Sequence, residues 1–190
     1  STQEGWLRKR DEATQGKQGL AAEYADCLLL WADGAKEQYL QAGVDEQKLH
    51  VVGPFHLDKW IKQYGTEFKR AVKNSVGVAG KMVVFAPPRF DRYEGDPIQA
   101  INELLGWTER NKIALVVKLH PFTPEPLAEN IAQHFERRYI KFYLQEDAIP
   151  LLASADIVVT QHSTAAVEAL AFGTPVAEVD LSGTGILENL

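Results

Sequence analysis

The chain has a single cysteine, Cys27, so its own residues can build neither a disulfide framework nor a thiolate metal site. Cys27 falls inside the apolar run Cys27-Leu-Leu-Leu-Trp31, a pattern that predicts a small core residue. Basic residues are also in short supply: 20 Lys and Arg against 26 Asp and Glu give a formal net charge of −6. This balance argues against nucleic acid held on a broad basic face and leaves room only for a local basic site. No apolar stretch approaches the ~20 residues that span a bilayer, and the opening Ser1-Thr-Gln-Glu-Gly-Trp-Leu-Arg-Lys-Arg10 lacks a signal-peptide core. Reducing cytoplasm is therefore the expected location. Internal repeats and low-complexity tracts are missing, as is an Asp-x-Asp motif, and Asp91, Asp96 and Asp156 are too scattered to nominate as metal ligands. No metal and no cofactor is expected.

What is present is ordinary for a globular chain of 190 residues, 45% hydrophobic and 24% charged. Residues 1–20 are polar with little apolar patterning and read as a loop. A strand at Cys27 to Ala32, a helix from Gly34 to Gln41 and a strand from Leu49 form one β-α-β unit that closes at Gly53-Pro54. Trp60, Ile61, Tyr64, Phe68 and Val72 then make one helical stripe, read as a linker helix that buries against a neighbouring sheet or domain, its apolar surface being uncovered only where the chain is a fragment.

From Lys81 the pattern is regular. Strands are predicted at Met82–Ala86, Ile113–Leu119, Tyr139–Leu144, Ile157–Thr160 and Pro175–Val179, with helices at Pro97–Leu105, Leu127–Phe135, Ile149–Ala153 and Ala165–Phe172. Such alternation predicts an α/β fold, Rossmann-like, with a mostly parallel sheet covered by helices on both faces. The division expected is 1–75, the tail of a preceding domain and its linker, and 76–190, the Rossmann-like domain.

Ligands of such sheets bind at the carboxyl ends of the strands, and the chemically informative residues gather there. The run from Ile157 to Val176 is a buried strand that stops at small polar residues and re-emerges as a helix. Ser163 and Thr164 fall at the helix start, where free N–H groups and the helix dipole favour an anion. A plain strand-to-helix turn with a Ser or Thr cap would use the same residues. Glu168 lies about one turn further in, placed to accept from sugar hydroxyls, and Gly173 with Pro175 ends the helix. After the strand from Met82 come Pro87-Pro-Arg89 and the loop residues Asp91, Arg92 and Tyr93; the planar fork of Arg89 suits a phosphate, though a solvated loop charge is the competing reading. After the strand from Ile113 comes Lys118-Leu-His-Pro121, where proline ends the ladder and leaves His120 at its tip as a donor to a phosphate oxygen. His162 shares the loop of Ser163; His120 and His162 are the only catalytic candidates. After the third strand of this half, Gln145-Glu-Asp-Ala-Ile-Pro-Leu-Leu152 is placed for weak backbone contacts to a base.

The ordered set Lys118-Leu-His-Pro121, Ile149-Pro-Leu-Leu-Ala-Ser-Ala-Asp156, Thr160-Gln-His-Ser-Thr164 and Glu168-Ala-Leu-Ala-Phe-Gly-Thr-Pro-Val176 resembles the donor-binding half of GT-B glycosyltransferases, built of two Rossmann-like domains. It is most similar to bacterial surface-polysaccharide enzymes: sialyl- and polysialyltransferases, capsule Kdo transferases and the CDP-glycerol glycerophosphotransferases of teichoic acid. The resemblance implies that His120 and Pro121, with Ser163 and Thr164, grip the nucleotide phosphate of a CMP-, CDP- or UDP-linked donor, that Glu168 holds the ribose, and that no metal is obligatory. It further implies a polysaccharide or lipid-linked acceptor bound by a half missing from this chain, and peripheral association of the parent with the inner face of a membrane. On this reading the chain alone is inactive and the domain is cut short at Gly185 to Leu190. Two other readings stand beside it. A nucleotide-sugar 2-epimerase shares the paired fold and the histidine-proline turn, but expects a Ser-Gly-Gly turn with paired glutamates where this chain has Ser163-Thr-Ala-Ala166 and only Glu168. A non-catalytic nucleotide- or protein-binding module would use the helix terminus without chemistry.

Overall fold

The computed structural model describes residues 25–90, 96–135, 140–144, 147–161 and 163–179. These divide into two compact units, one ending at Asp58 and one beginning at Lys59. In the first, β1 (Leu28–Leu30) and β2 (Leu49–Val51) pair in parallel, joined through α1 (Asp33–Gln41). Leu30, Tyr39 and Leu49 make its small core. Cys27 is exposed rather than buried: the strand starts one residue later, and of its three leucines only Leu30 is buried.

The residues after Pro54 do not form one continuous helix. A short α2 (Asp58–Ile61) is separated by Gly65 from α3 (Thr66–Ser75). By packing, α3 belongs to the second unit, so the compact boundary lies well before residue 75. Its stripe is packed against the sheet domain, as its spacing predicted, and is not left uncovered. The Tyr64 hydroxyl donates to the Phe172 carbonyl at 2.7 Å with the two rings 5.1 Å apart, and Val72 packs into the core. Only Ile61 of the five stripe residues is strongly exposed.

The second unit holds β3 (Met82–Ala86), α4 (Pro97–Arg110), β4 (Ala114–Lys118), α5 (Glu125–His134), β5 (Ile140–Tyr143), α6 (Ala148–Ser154), β6 (Ile157–Thr160), α7 (Thr164–Ala171) and β7 (Val176–Glu178). All five strands are parallel, in the order β5-β4-β3-β6-β7. The period-2 alternation of each strand divides its side chains between two cores. Val83, Phe85, Leu115, Val117 and Val159 face one, which α4 and α5 cover through Ile101, Leu104 and Ile131. Met82, Val84, Val116 and Val158 face the other, covered by α3, α6 and α7. This is the α/β, Rossmann-like sheet with helices on both faces that the alternation predicted.

Helix α4 runs a turn beyond Leu105 because Gly106 does not interrupt its inner face, which continues through the buried Thr108. Its start is the cap Asp96, whose carboxylate accepts from Ile98 N–H at 2.8 Å, followed by Pro97. Helix α7 ends where the sequence placed its end. Gly173 takes φ +70°, its N–H reaches the Leu170 carbonyl, and the Thr174 N–H reaches that of Ala169, the paired bonds of a left-handed helix stop. A Cβ at Gly173 meets nothing within 4 Å, so Gly173→Ala tests backbone conformation alone. Its expected cost is about 1 kcal/mol in denaturant unfolding; an unchanged midpoint would show that the stop is not strained.

Candidate functional site

Strand order fixes where a ligand belongs. The chain winds from β3 outward to β4 and β5, then crosses back to place β6 on the other side of β3. The order reverses between β3 and β6, and the crevice of such a sheet opens at their carboxyl ends. Ala86 and Thr160 are register partners there. Thr160 is fully buried, and its hydroxyl donates to the Ala86 carbonyl at 2.5 Å. The two strands that bound the crevice are thereby tied at their last residues.

On the β6 side, Ser163 caps α7: its Oγ accepts from Ala165 N–H at 3.2 Å. Capping uses an oxygen lone pair, so the hydroxyl proton remains a donor for an anion. The plain-cap reading and the phosphate reading are thus compatible in one geometry. Thr164 is the first helical residue and Glu168 lies one turn along, both half-buried. His162 lies outside the described residues.

On the β4 side, the His120 loop is tightly organised. Its Nδ1 accepts from Phe122 N–H at 3.1 Å and its carbonyl accepts from Thr123 N–H at 2.8 Å. An accepting Nδ1 places the proton of the neutral ring on Nε2, which makes that nitrogen the donor. The ring also lies 5.6 Å from that of Phe122. Pro121 is exposed. Arg89, after the end of β3, brings its guanidinium carbon to 5.9 Å from the same Phe122 ring. Arg89 and His120, from different strand ends, therefore meet across one phenyl group. Asp91, Arg92 and Tyr93 lie outside the described residues, as do Gln145 and Glu146. Asp147 caps α6 by accepting from Ile149 N–H at 3.1 Å.

Two residues of the site were not singled out from the sequence. Phe122 is 71% exposed with the His120 ring and the Arg89 guanidinium both against it; the sequence signal was its place directly after a His-Pro tip. Lys118 is only 3% exposed. Its Nζ donates at 2.8 Å to both the Leu119 and Leu144 carbonyls, joining the end of β4 to that of β5 just before His120. A buried ammonium survives only when its donors are satisfied, and here backbone carbonyls do it. Among the described residues, no group of His, Cys, Asp and Glu is arranged to hold a metal ion, and no helix is long and apolar enough to cross a membrane.

The fold is that of a Rossmann-like half domain of the superfamily that includes sugar epimerases and GT-B glycosyltransferases. Within it the chain belongs to the UDP-N-acetylglucosamine 2-epimerase family, which it matches over residues 19–183. The family is thus the one the sequence kept as its second reading. Among solved structures, the chain is similar to the Staphylococcus aureus MnaA–UDP structure: 17% identity, TM-score 0.67, covering 89% of this chain and 48% of that one. It is likewise similar to UDP-GlcNAc 2-epimerase from Neisseria meningitidis bound to UDP-GlcNAc, at 16% identity and TM-score 0.66 over 91% of this chain and 49% of that one. The wall teichoic acid polymerase TagF matches at 15% identity and TM-score 0.61, over 82% of this chain and 39% of that one. The chain therefore spans just under half of the epimerase structures it matches. Comparison with curated proteins gives no match.

Proposed function

We propose that this chain is the nucleotide-binding half of an enzyme acting on a UDP-sugar, and that the intact parent is a UDP-N-acetylhexosamine 2-epimerase. The observation that carries the reading is the crevice between β3 and β6, flanked by the Ser163-capped start of α7 and by the Arg89–Phe122–His120 group. The family match and the UDP-sugars named in the relatives' structures support uridine as the base. In this reading the diphosphate sits at the N-terminus of α7. There the helix dipole and the hydroxyls of Ser163 and Thr164 stabilise negative charge on it, while Arg89 and the Nε2–H of His120 approach from the other side. Pro121 holds the tip of the His120 loop and Glu168 accepts from the ribose hydroxyls. These groups act on charge that grows as the bond between the sugar and the diphosphate weakens, a demand shared by every reaction that breaks that bond. The parent works from the cytoplasm, where UDP-sugars are supplied.

One observation favours a second reading, transfer of the sugar to an acceptor hydroxyl. The turn Ser163-Thr-Ala-Ala166 carries hydroxyls and a single following carboxylate, Glu168, the pattern of the surface-polysaccharide transferases rather than of the epimerases. The acceptor would then be a polysaccharide or lipid-linked sugar bound by the other half, with the parent at the inner face of a membrane.

The two separate in one experiment. The intact parent is incubated with UDP-GlcNAc and the anomeric proton signals are followed by NMR. A new UDP-sugar signal without added acceptor is the expected result; UDP released only with acceptor would replace epimerisation by transfer. Retention of UDP-GlcNAc under both conditions would remove the catalytic reading.

A further inference from the structure

The amino ends of β3 and β6 lie at the edge of the sheet opposite the crevice, and a cavity of about 450 Å³ opens there. Its lining includes Lys69, Arg70 and Lys73 from α3, Gly80 and Lys81 from the approach to β3, and Asp156 from the approach to β6. Four cations against one carboxylate give these walls a net charge of 4 − 1 = +3 in a chain whose net charge is −6.

The single acid does not face the cavity as a free charge. Asp156 Oδ2 accepts from Lys73 Nζ at 2.6 Å and from Met82 N–H at 2.7 Å. Partial burial works to raise the pKa of this carboxyl, but the bonds from Lys73 and Met82 and the charges of Lys73 and Lys69 outweigh it, holding the pKa below the ordinary value. Lys73 also donates to the Gly80 carbonyl at 3.1 Å. Lys73 and Asp156 thus form a neutral strut between α3 and the two strand starts, and the charge left on the walls is that of Lys69, Arg70 and Lys81. Lys69 Nζ lies 5.2 Å from the Tyr64 ring, and its charge adds to that of Lys73 on Asp156. Arg70 pairs with Glu67 at 3.6 Å, with both side chains more than two-thirds exposed, a geometry of little energetic weight. Cations near the end of a helix have an ordinary purpose in opposing its dipole. Lys81 is not on that helix: it reaches the same cavity from the strand side, so positive charge from two separate elements is concentrated around one concavity.

We propose that this cavity is a second ligand site, separate from the crevice, and that it binds a small polyanion of the phosphate class through Lys69, Arg70 and Lys81. The same chemistry would accept a free di- or triphosphate or the headgroup of an anionic lipid. The inference rests on the cavity and its charges, not on the function proposed for the crevice.

The test uses the whole chain carrying His120→Ala and Ser163→Ala, so that the crevice does not contribute. Inorganic pyrophosphate is titrated into it calorimetrically at low salt, before and after adding Arg70→Ala and Lys81→Ala, both at exposed positions. Binding that survives the crevice substitutions and falls about tenfold on losing the two cations is expected. Flotation with phosphatidylglycerol vesicles, and with phosphatidylcholine vesicles as the control, separates the sources. Capture by the anionic vesicles alone, lost with the same two cations, assigns the site to headgroups; no capture assigns it to a free anion. Pyrophosphate and vesicles both failing to bind, or binding indifferent to Arg70 and Lys81 in a variant that melts like its parent, overturns the proposal.

Discussion

Phe85→Ala is expected to lower the unfolding free energy by about 3–5 kcal/mol and the melting temperature by roughly 10–20 °C. Phe85 is fully buried on the central strand β3 and belongs to the core closed by α4 and α5. Its register partners are Val117 on β4 and Val159 on β6, so both flanking strands border the space that truncation would open. Parallel strands buried on both faces leave little freedom for the backbone to collapse into such a void, and the cavity cost adds to the lost transfer energy. Phe85 also directly precedes Ala86, the residue that Thr160 ties to β6. The loss should therefore reach the crevice as well as the core. Urea unfolding monitored by tryptophan fluorescence measures it; a cost below about 1.5 kcal/mol would mean that the sheet relaxes around the gap.

Lys118→Met is expected to cost about 2–4 kcal/mol and to weaken nucleotide binding. Methionine keeps the length and apolar stem of the side chain and discards its donors. The Leu119 and Leu144 carbonyls, each accepting from Nζ at 2.8 Å, would then lack this donor where water has little access, at about 1–3 kcal/mol apiece. Removing the ammonium also removes the cost of keeping a charge out of water, which is why the expected sum stays below the upper limit. The binding effect follows from the position of the strut. It joins the ends of β4 and β5, alongside the bond from Leu119 N–H to the Tyr143 carbonyl, and the next residue is His120. A substitution that left both stability and affinity unchanged would show that the ammonium neither supports the strand ends nor positions the histidine.

The sequence was most legible where burial on both faces leaves one solution. Strands Met82–Ala86 and Ile157–Thr160 appear as uninterrupted apolar or β-branched runs and occupy those same residues in the structure. The Ser163 turn was equally plain, because small polar residues between a buried strand and a helix have few other uses. Glycine was harder to read. Gly106 sits inside α4 and Gly65 breaks the stripe from Trp60 to Val72, whereas Gly43, Gly77 and Gly173 each mark a helix end with positive φ. Composition around each is similar; what separates them is whether an inner face continues beyond the glycine, and that depends on packing. Cys27 misled for a related reason, since apolar neighbours in a strand of three residues do not all find a core. The roles of Lys118 and Phe122 were not legible at all. Periodicity shows that a strand is buried, but not that the carbonyls of two strand ends converge on one amine, nor that one phenyl ring will bridge Arg89 and His120, 31 positions apart in the chain. The choice between epimerase and transferase was open for a different reason: both need the same phosphate grip, and the turn and the family match point in different directions.

The central claim is that the crevice between β3 and β6 holds a uridine diphosphate. Calorimetric titration of the chain with UDP, CDP and CMP, repeated on His120→Ala and on Ser163→Ala, tests it most directly. The account predicts that UDP binds best and that each substitution weakens it by about 1 kcal/mol or more, the scale of a hydrogen bond lost to a charged group. UDP binding that both substitutions leave intact would contradict the account, and so would a failure of UDP to bind both this chain and its intact parent.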